Sequence, residues 1–492
     1  MQKYPPQSQV SMGVPASGPA VRPEHRYAAM LEAARRASAL APDSLEARLH
    51  EVECLQIAGD TGLALECLQR IEAEHAENAL FMLRVGETYA RYNRPDDYQR
   101  CCRRAHELAP DDPDVRSGLA GALLAVGDLA GAEAVLVELT RDRPQDGTAW
   151  LNLARLRRWT AEDNHVAEIE KAVATATDRR NKAAGCHALF KEYEDLGQAD
   201  KAMSWLRTGA KTLRSSYSYR VEFDEAALAA ISENYSTERL RDAPETGPGR
   251  GAIFVAGLPR SGTTLVDRIL SAHPEVESLG EPRDLAFAAL HGEAMITPGR
   301  SWSDAGLLPD FAAIGRRYLN AVATYRTGRP YFVDKATMNS LQCGLMRLAL
   351  PGSRIVLLRR HPLDSCLALY STYFHEHLPF AHDLHELGRY YVAWHRLMEH
   401  WRQAIPRQLR VVHYESLVTN PETEIRQLLE HCGLDWDPRC LDFHQNRSAV
   451  TTLSASQVRQ PMYTSSVGRW KKYARDLQPL IWVLQDAGIP LD

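Results

Sequence analysis

The segment GLPRSGTTL, residues 257–265, combines two glycines, an arginine and three hydroxyl-bearing residues in a way that could hold an anion. It follows the apolar run AIFVAG (252–257) and precedes TTLVDRILSAH, whose pattern predicts an amphipathic helix. Backbone N–H groups at a helix N-terminus attract phosphate-like groups, and Arg260 would add a permanent positive charge. The alternative is a tight strand-to-helix turn that holds no ligand.

This loop lacks the lysine of a nucleotide-binding loop, which limits the reactions that it could serve. Gly257 and Gly262 have the spacing of the nucleotide loop G-x-x-x-x-G-K-[ST], but Thr263 stands where the lysine belongs. The strand-end Asp334 is followed directly by Lys335, which would compete with Mg²⁺ for the same space. Transfer of a γ-phosphate, as in a nucleotide kinase, is therefore the less favoured alternative. Metal-free transfer of an anion, served by Arg, Lys and backbone N–H groups, fits better.

Four short β-rich runs, separated by helical stretches, predict the sheet that positions these groups. They are AIFVAG (252–257), YFVDK (331–335), RIVLLRR (354–360) and RVVHYE (410–415). Ligands bind at the carboxyl ends of parallel strands. The runs end in the loop, in Lys335, in Arg359 with Arg360, and in Tyr414 with Glu415. We therefore expect these side chains to meet at one edge of the sheet.

The N-terminal half repeats with a period of 34 residues, which is typical of tetratricopeptide (TPR) repeats. Three columns of residues carry the period: Pro42, Ala76, Pro110 and Pro144; Gly59, Asn93 and Gly127; Ala64, Tyr98 and Ala132. Small residues allow two helices to pack closely, and proline ends a helix. Segment 188–214 predicts one more helical pair. Such an array commonly binds a protein on its concave surface, or it packs on the next domain or forms a homodimer.

Six blocks in the C-terminal half, taken in order, resemble a sulfotransferase that uses 3′-phosphoadenosine 5′-phosphosulfate (PAPS). They are PRSGTTL (259–265), GEPR (280–283), VDK (333–335), LLRRHPLDSCLALY (357–370), VVHYESLVTNPE (411–422) and QVRQPMYTSSVGRWKKY (457–473). The resemblance covers about residues 252–475. It is strongest to TPR-containing sulfotransferases, whose catalytic domain is similar to tyrosylprotein sulfotransferase.

The resemblance implies a role for each matched residue of the reacting centre. Glu281 would be the general base that takes the acceptor proton, and Lys335 would neutralise charge on the bridging oxygen as the S–O bond breaks. Arg283 would position Glu281 or an acidic acceptor. For these residues the alternatives are a surface salt bridge and an ordinary strand-end lysine. The loop that would cradle the 5′-phosphosulfate consists of Arg260, Ser261, Gly262, Thr263 and Thr264.

The resemblance also implies the contacts to the rest of the nucleotide. Arg360 would bind the 3′-phosphate, and Tyr414 would lie near the adenosine. The C-terminal segment that closes over the nucleotide contains Ser454, Arg459 and Arg469. The family has a serine eight residues after the 3′-phosphate arginine, where this chain has Ala368. One hydroxyl contact is lost there, and Ser365 or Ser371 could substitute for it.

Composition excludes several classes of protein. The 492 residues carry a formal net charge of −5, which does not suggest a nucleic-acid partner. The nine cysteines contain no C-x-x-C pair, and no apolar run reaches the length of a membrane span or a signal peptide. We therefore expect a cytoplasmic protein with reduced thiols. His382, Asp383 and His385 are weak metal candidates, and we interpret residues 375–401 as a lid loop and a core helix without a metal.

These observations predict a multidomain α and α/β protein. A TPR-type α-solenoid would be followed by a P-loop-like parallel α/β sulfotransferase domain. The predicted boundaries are a disordered tail (1–24), TPR repeats (25–160), a further helical segment (161–243), a linker (244–251) and the sulfotransferase domain (252–492).

The expected reaction moves a sulfuryl group from PAPS to a hydroxyl of a protein tyrosine or of a small phenol or alcohol. It would release adenosine 3′,5′-bisphosphate. The alternative is a TPR scaffold protein whose sulfotransferase domain is degenerate.

Overall fold

The structure, a computed structural model, describes residues 23–292, 294–296, 302, 308–324, 326–374, 377–446 and 457–491. Residues 1–22 of the predicted tail lie outside the described residues, and the first helix begins at Pro23. Up to residue 241 the described chain forms helices joined by short connections: α1 (Pro23–Leu40), α2 (Leu45–Ile57), α3 (Thr61–Glu74), α4 (Ala79–Arg91), α5 (Pro95–Leu108), α6 (Pro113–Val126), α7 (Leu129–Asp142), α8 (Gly147–Arg155), α9 (Val166–Thr175), α10 (Arg179–Asp195), α11 (Ala199–Arg214), α12 (Val221–Asn234) and α13 (Thr237–Arg241).

The helices keep the period of the sequence. α2, α4, α6 and α8 begin at residues 45, 79, 113 and 147, so each begins 34 residues after the one before. The residue before each of these helices accepts hydrogen bonds from first-turn N–H groups, as an N-cap should; these caps are Ser44, Asn78, Asp112 and Asp146. The turns between paired helices have positive φ at Gly59 (86°), Asn93 (53°) and Gly127 (85°). This conformation favours glycine and asparagine, which explains that column of the repeat. The predicted α-solenoid is confirmed.

The chain after residue 251 forms the predicted parallel sheet. Within the described residues the sheet has five strands in the order β2-β3-β1-β4-β5: β1 (Ala252–Gly257), β2 (Val276–Ser278), β3 (Tyr331–Asp334), β4 (Arg354–Arg359) and β5 (Leu409–His413). Sequence reasoning missed β2, because three residues carry no usable period.

Helices and 3₁₀ turns connect the strands. The helices are α14 (Thr263–Ser271), α15 (Asp284–His291), α16 (Phe311–Ala323), α17 (Cys343–Ala349), α18 (Pro362–Tyr370), α19 (Leu384–Ala404), α20 (Tyr414–Thr419), α21 (Pro421–Cys432) and α22 (Gln478–Asp486). The 3₁₀ turns span Thr337–Leu341, Pro379–His382, Pro438–Cys440, Phe443–Gln445, Gln457–Arg459 and Arg469–Tyr473.

Both faces of the sheet are buried, as parallel strands require. Along β1, Ile253 and Val255 belong to a core formed with α14 and α21. Ala252 and Phe254 point the other way, into a core that continues through α19 into the helical array. The array and the sheet therefore share one hydrophobic core. Among the described helices, none combines the length and apolar character needed to cross a bilayer. The nine cysteines are buried and unpaired.

The array lies against the sheet domain through its turns. Three left-handed turns of the array each lie against a residue of the C-terminal half. The pairs are Gly59 with Arg317, Asn93 with Gly280, and Gly127 with Arg459, and a Cβ added to the glycine of any pair would meet the partner side chain. Arg317 also donates to the Ala58 carbonyl at 2.9 Å. The same edge of three successive repeats thus faces the sheet domain.

The predicted linker is packed as well. The Arg347 guanidinium donates to the carbonyl groups of Leu240 (3.2 Å), Ala243 (2.7 Å) and Pro244. Gly251 has φ of 84°, and a Cβ there would lie 2.4 Å from the Pro330 carbonyl oxygen. Glycine at this point therefore serves close backbone approach.

Candidate functional site

A cleft of about 540 Å³ opens at the carboxyl edge of the sheet. Residues that follow every strand line it: Arg260 after β1, Glu281 after β2, Thr337 and Met338 after β3, Arg360 after β4, and Tyr414 after β5. Opposite walls come from the region around α18, from residues 458–469 and from α8 of the helical array. Side chains that are distant in sequence thus converge in a cleft at the edge where parallel strands end.

The loop after β1 is held in an unusual backbone conformation. Arg260 has φ of 68°, which a residue with a side chain rarely adopts. Gly262 has φ of 107°, and a Cβ there would lie 2.7 Å from Tyr414 Cδ2. Helix α14 begins at the next residue, so the N–H groups of its first turn adjoin the cleft. Arg260, Gly262, Thr263 and Thr264 line the cleft. Ser261 lies beneath it, and its buried hydroxyl has no hydrogen-bond partner among the described residues.

Glu281 and Lys335 are 54 residues apart in sequence and meet because of strand register. β2 pairs with β3 in parallel, with Ser278 opposite Val333. The pairing continues past the strands, where the Lys335 N–H donates to the Gly280 carbonyl at 2.9 Å. The next residue is Glu281, and Lys335 Nζ donates to its Oε1.

This pair joins a buried cation to an accessible carboxylate. The Lys335 side chain is 1% exposed, whereas that of Glu281 is 48% exposed. A buried ammonium group is unstable without a partner, so Glu281 stabilises it. Asp267 is buried within electrostatic range of this pair: burial raises the pKa of its carboxyl, and the charge of Lys335 opposes that rise. Glu281 therefore faces the open cleft with its neighbouring cation fixed in place.

The two arginines at the end of β4 have different partners. Arg359 pairs with Glu399 and contacts His395, away from the cleft lining. Arg360 lines the cleft, and its Cζ lies 4.9 Å from the centre of the Tyr414 ring. Its terminal nitrogens donate to the backbone carbonyls of Arg260 (3.3 Å) and Ser466, while its buried Nε has no acceptor among the described residues. The geometry assigns the cleft position to Arg360.

Helix α18 presents Ala368 and Ser371 to the cleft, one turn apart. The Ser371 hydroxyl donates to the Ala368 carbonyl at 3.4 Å, which is long for an O–H···O hydrogen bond. Ser365 is buried and does not line the cleft; its hydroxyl donates to the Arg360 carbonyl at 3.4 Å. Of the two serines considered as substitutes for the missing hydroxyl, the structure therefore places Ser371 at the cleft.

The structure does not show three other predicted site residues as available side chains in the cleft. Arg469 lines the cleft but makes two 2.7 Å hydrogen bonds to Glu194 of α10. Arg283 is absent from the described lining; its guanidinium lies 4.8 Å from the centre of the Phe287 ring, beside the charges of the helical array. Its substrate-binding role stays a prediction without support from this position. Ser454 lies outside the described residues.

Comparison with known proteins identifies the C-terminal part. Residues 252–438 match the model of the sulfotransferase family, and residues 99–156 match that of the tetratricopeptide repeat. The chain carries a sulfotransferase domain after a tetratricopeptide repeat.

Two proteins from other organisms are similar to this chain over part of its length. An uncharacterized protein of Aquifex aeolicus is 29% identical over 78% of this chain and 52% of its own length. Protein-tyrosine sulfotransferase 2 of Gallus gallus is 24% identical over 44% of this chain and 62% of its own length. The chain thus spans between half and two thirds of these relatives. A solved structure, the sulfotransferase domain from the Synechococcus PCC 7002 olefin synthase, overlays 51% of this chain and all of its own at 16% identity, with a TM-score of 0.36. An overlay this loose supports no conclusion.

The segment that contains His382, Asp383 and His385 forms a 3₁₀ turn followed by the core helix α19. Asp383 caps α19 by accepting from the His385 and Glu386 N–H groups, and His382 is buried in the preceding turn. Helix α19 buries Trp394 and Trp401 in the core. Within the described ranges, no group of three or more His, Cys, Asp or Glu side chains could hold a metal ion.

Sequence reasoning missed one part of the site completely. Thr148, Leu151, Asn152 and Arg155, all on α8 of the array, line the same cleft as Glu281. Their spacing of three, four and seven residues was visible in the sequence, but nothing there showed which surface this helix face would cover. The cleft thus has walls from both the sulfotransferase domain and the array.

Proposed function

We propose that this protein transfers a sulfuryl group from PAPS to an acceptor hydroxyl and releases adenosine 3′,5′-bisphosphate. The observation that carries the proposal is the Glu281–Lys335 pair beside the anion loop. It brings a solvent-accessible base and a fixed cation next to a helix N-terminus, in a sulfotransferase domain.

The cleft fits the donor in charge and size. PAPS carries anionic groups at its 5′ and 3′ positions, and the cleft is lined by Arg260 and Arg360 as well as by the start of α14. Burial lowers the pKa of Arg260 to about 10, with the charges of Arg469 and Arg360 acting in the same direction. A buried group of cations favours binding of an anion. The cleft volume lies within the range of about 300–1,000 Å³ that is usual for ligand sites.

The residues divide the chemistry between them. PAPS supplies the sulfuryl group. Glu281 accepts the proton of the acceptor hydroxyl while the acceptor oxygen forms the new bond to sulfur. A base of this kind contributes roughly 10²–10⁴-fold in rate. Lys335 neutralises the charge that develops on the phosphate oxygen when the old S–O bond breaks. The loop with Arg260 orients the group that moves.

Apolar side chains in the cleft lining favour an aromatic acceptor. Met338, Phe374 and Leu378 line the same cleft as Glu281, and such side chains bind a phenol ring more readily than a sugar. Relatives from Gallus gallus and Caenorhabditis elegans, among others, are named protein-tyrosine sulfotransferases. We therefore propose a protein tyrosine or a small phenol as acceptor, in the cytoplasm, where nine free cysteines stay reduced.

Calorimetric titration without metal tests the donor site and requires no acceptor. Adenosine 3′,5′-bisphosphate should bind more tightly than ADP, because ADP lacks the 3′-phosphate that Arg360 would hold. The substitution of Ala368 for the family's serine is the observation that favours a degenerate domain. If the folded protein bound neither nucleotide, the scaffold alternative would stand in place of the transferase.

Substitution of the base tests the reaction itself. Acceptors found by screening with ³⁵S-labelled PAPS should lose labelling in Glu281→Gln by about 10²–10⁴-fold, while affinity for adenosine 3′,5′-bisphosphate stays within about two-fold. Glu275→Gln is the matched control, since Glu275 is exposed and is not among the described residues that line the cleft. Turnover retained in Glu281→Gln would remove Glu281 from this role.

A further inference from the structure

One face of helix α8 points into the cleft of the sulfotransferase domain. Residues at positions i, i+3, i+4 and i+7 lie on one side of an α-helix. The four α8 residues that line the cleft have this spacing: Thr148, Leu151, Asn152 and Arg155. Three of these four side chains are polar. A helix that only packed on its neighbour would present an apolar face there, so this face is suited to a polar ligand.

Arg155 is the charged member of this face and has no counter-ion. It is half-buried and makes no hydrogen bond or ion pair within the described part of the chain. Burial, and after it the positive charge of Arg260, lowers the pKa of Arg155 to about 10. Among the described lining residues the one carboxylate is Glu281, which already pairs with Lys335. Two arginines that repel each other across one cleft are stabilised by an anion between them.

The position of α8 relative to the loop is fixed by several contacts. Helix α10 packs against α8. From α10, Glu194 binds Arg469 through two 2.7 Å hydrogen bonds and also accepts from the Tyr473 hydroxyl at 3.1 Å. At the start of α10, the Arg180 carbonyl accepts from the hydroxyl of Tyr373, which lines the cleft, at 3.2 Å. The contacts of α10 thus hold both α8, which carries Arg155, and the cleft wall that contains Tyr373 and Arg469.

We infer that Arg155 is a further catalytic residue, which binds the anionic oxygens at the 5′ end of the donor together with Arg260. The helical array would then supply part of the reacting centre, in addition to any surface that it offers to a partner. The inference rests on the proposed function, because it requires that the cleft bind PAPS. The anionic oxygens belong either to the sulfuryl group or to the 5′-phosphate, and titration with different nucleotides separates the two.

The test is calorimetric titration of the full chain and its variants with three nucleotides: PAPS, adenosine 3′,5′-bisphosphate and adenosine 3′-monophosphate. Arg155→Ala should bind PAPS about 10- to 100-fold more weakly, as expected for loss of a hydrogen bond to a charged group. Arg155→Lys should recover part of the affinity, since it keeps the charge and loses the planar fork. Arg158→Ala is the matched control, because Arg158 is exposed and lies beyond the end of α8.

Each outcome decides the inference. A loss confined to PAPS would place Arg155 on the sulfuryl group, and a loss shared with adenosine 3′,5′-bisphosphate would place it on the 5′-phosphate. An equal loss for adenosine 3′-monophosphate, or an effect no larger than that of Arg158→Ala, would overturn the inference and leave the proposed function intact. Failure of the wild-type chain to bind any of the three would overturn both. Unchanged thermal midpoints would show that the variants are folded.

Discussion

Restoring a serine at Ala368 should tighten the binding of adenosine 3′,5′-bisphosphate. Ala368 is 8% exposed and lines the cleft on α18, one turn before Ser371 and Thr372. The Thr372 hydroxyl is committed to the Ala368 carbonyl at 2.7 Å. The Ser371 hydroxyl reaches the same carbonyl only at 3.4 Å, so it is the hydroxyl available to turn toward a phosphate.

The expected gain in binding free energy is the new hydrogen bond to the phosphate, less the hydrogen bond that the serine gives up within the helix. A hydrogen bond to a charged group contributes about 1.5–3 kcal/mol. A serine inside a helix also bonds its own i−4 carbonyl, and breaking that bond offsets part of the gain. About 1 kcal/mol should remain, which is about five-fold in Kd.

Calorimetry on Ala368→Ser should show this gain for adenosine 3′,5′-bisphosphate and none for ADP, which has no 3′-phosphate. Ser371→Ala should lose a similar amount in the wild-type background. An equal gain for both nucleotides, or no gain for either, would refute the assignment of this turn of α18 to the 3′-phosphate.

Three further predictions concern the loop, the contact between array and sheet domain, and the sheet. Gly262→Ala should abolish nucleotide binding in the same titration, because alanine disfavours φ of 107° and its Cβ would meet the Tyr414 ring. Wild-type affinity of this variant would show that the loop tolerates a side chain at residue 262. Glu194→Gln and Arg469→Gln should each lower the thermal midpoint by about 1–3 °C, and the double variant should lower it no further. Additive losses would show that the two side chains act independently. Burial raises the pKa of Asp334 to about 8, so between about pH 4 and 8 this carboxyl binds more protons in the folded chain than in the unfolded chain, where an aspartate ionises near pH 4. Stability should fall as pH rises through that window, and Asp334→Asn should reduce the fall; an unchanged slope in pH-dependent melting would contradict the assignment.

Much of the fold could be predicted from periodicity. The 34-residue repeat predicted the array, and the helix starts of the structure keep the same period, because each repeat needs a capped start and a left-handed turn that few residues tolerate. Strand ends were predicted to within about two residues where apolar runs met charged ones, as at Arg359. The short β2 was missed, since its pairing depends on β3 rather than on its own sequence.

Sequence alone predicted site residues only where a recognisable motif lies at the end of a single strand. Glu281 and Lys335 were identified through the resemblance, but their contact results from strand register, which short segments do not encode locally. Arg283 and Arg469 show the limit of a motif, since both lie beside charges of the helical array that no local pattern reveals. For the same reason sequence reasoning found no role for Arg155.

The way the array meets the sheet domain bears on what the array is for. An array that served only to bind a partner would need no exact placement relative to the cleft. Here three successive turns face the sheet domain, the segment before β1 is closely packed, and Glu194 of α10 holds Arg469 of the cleft wall. The two parts share one hydrophobic core, so separating them would expose apolar surface on both. The array and the cleft are therefore parts of one packed unit. Any event that shifts α10 relative to the sheet must also move Arg469 and α8, and with them two walls of the cleft.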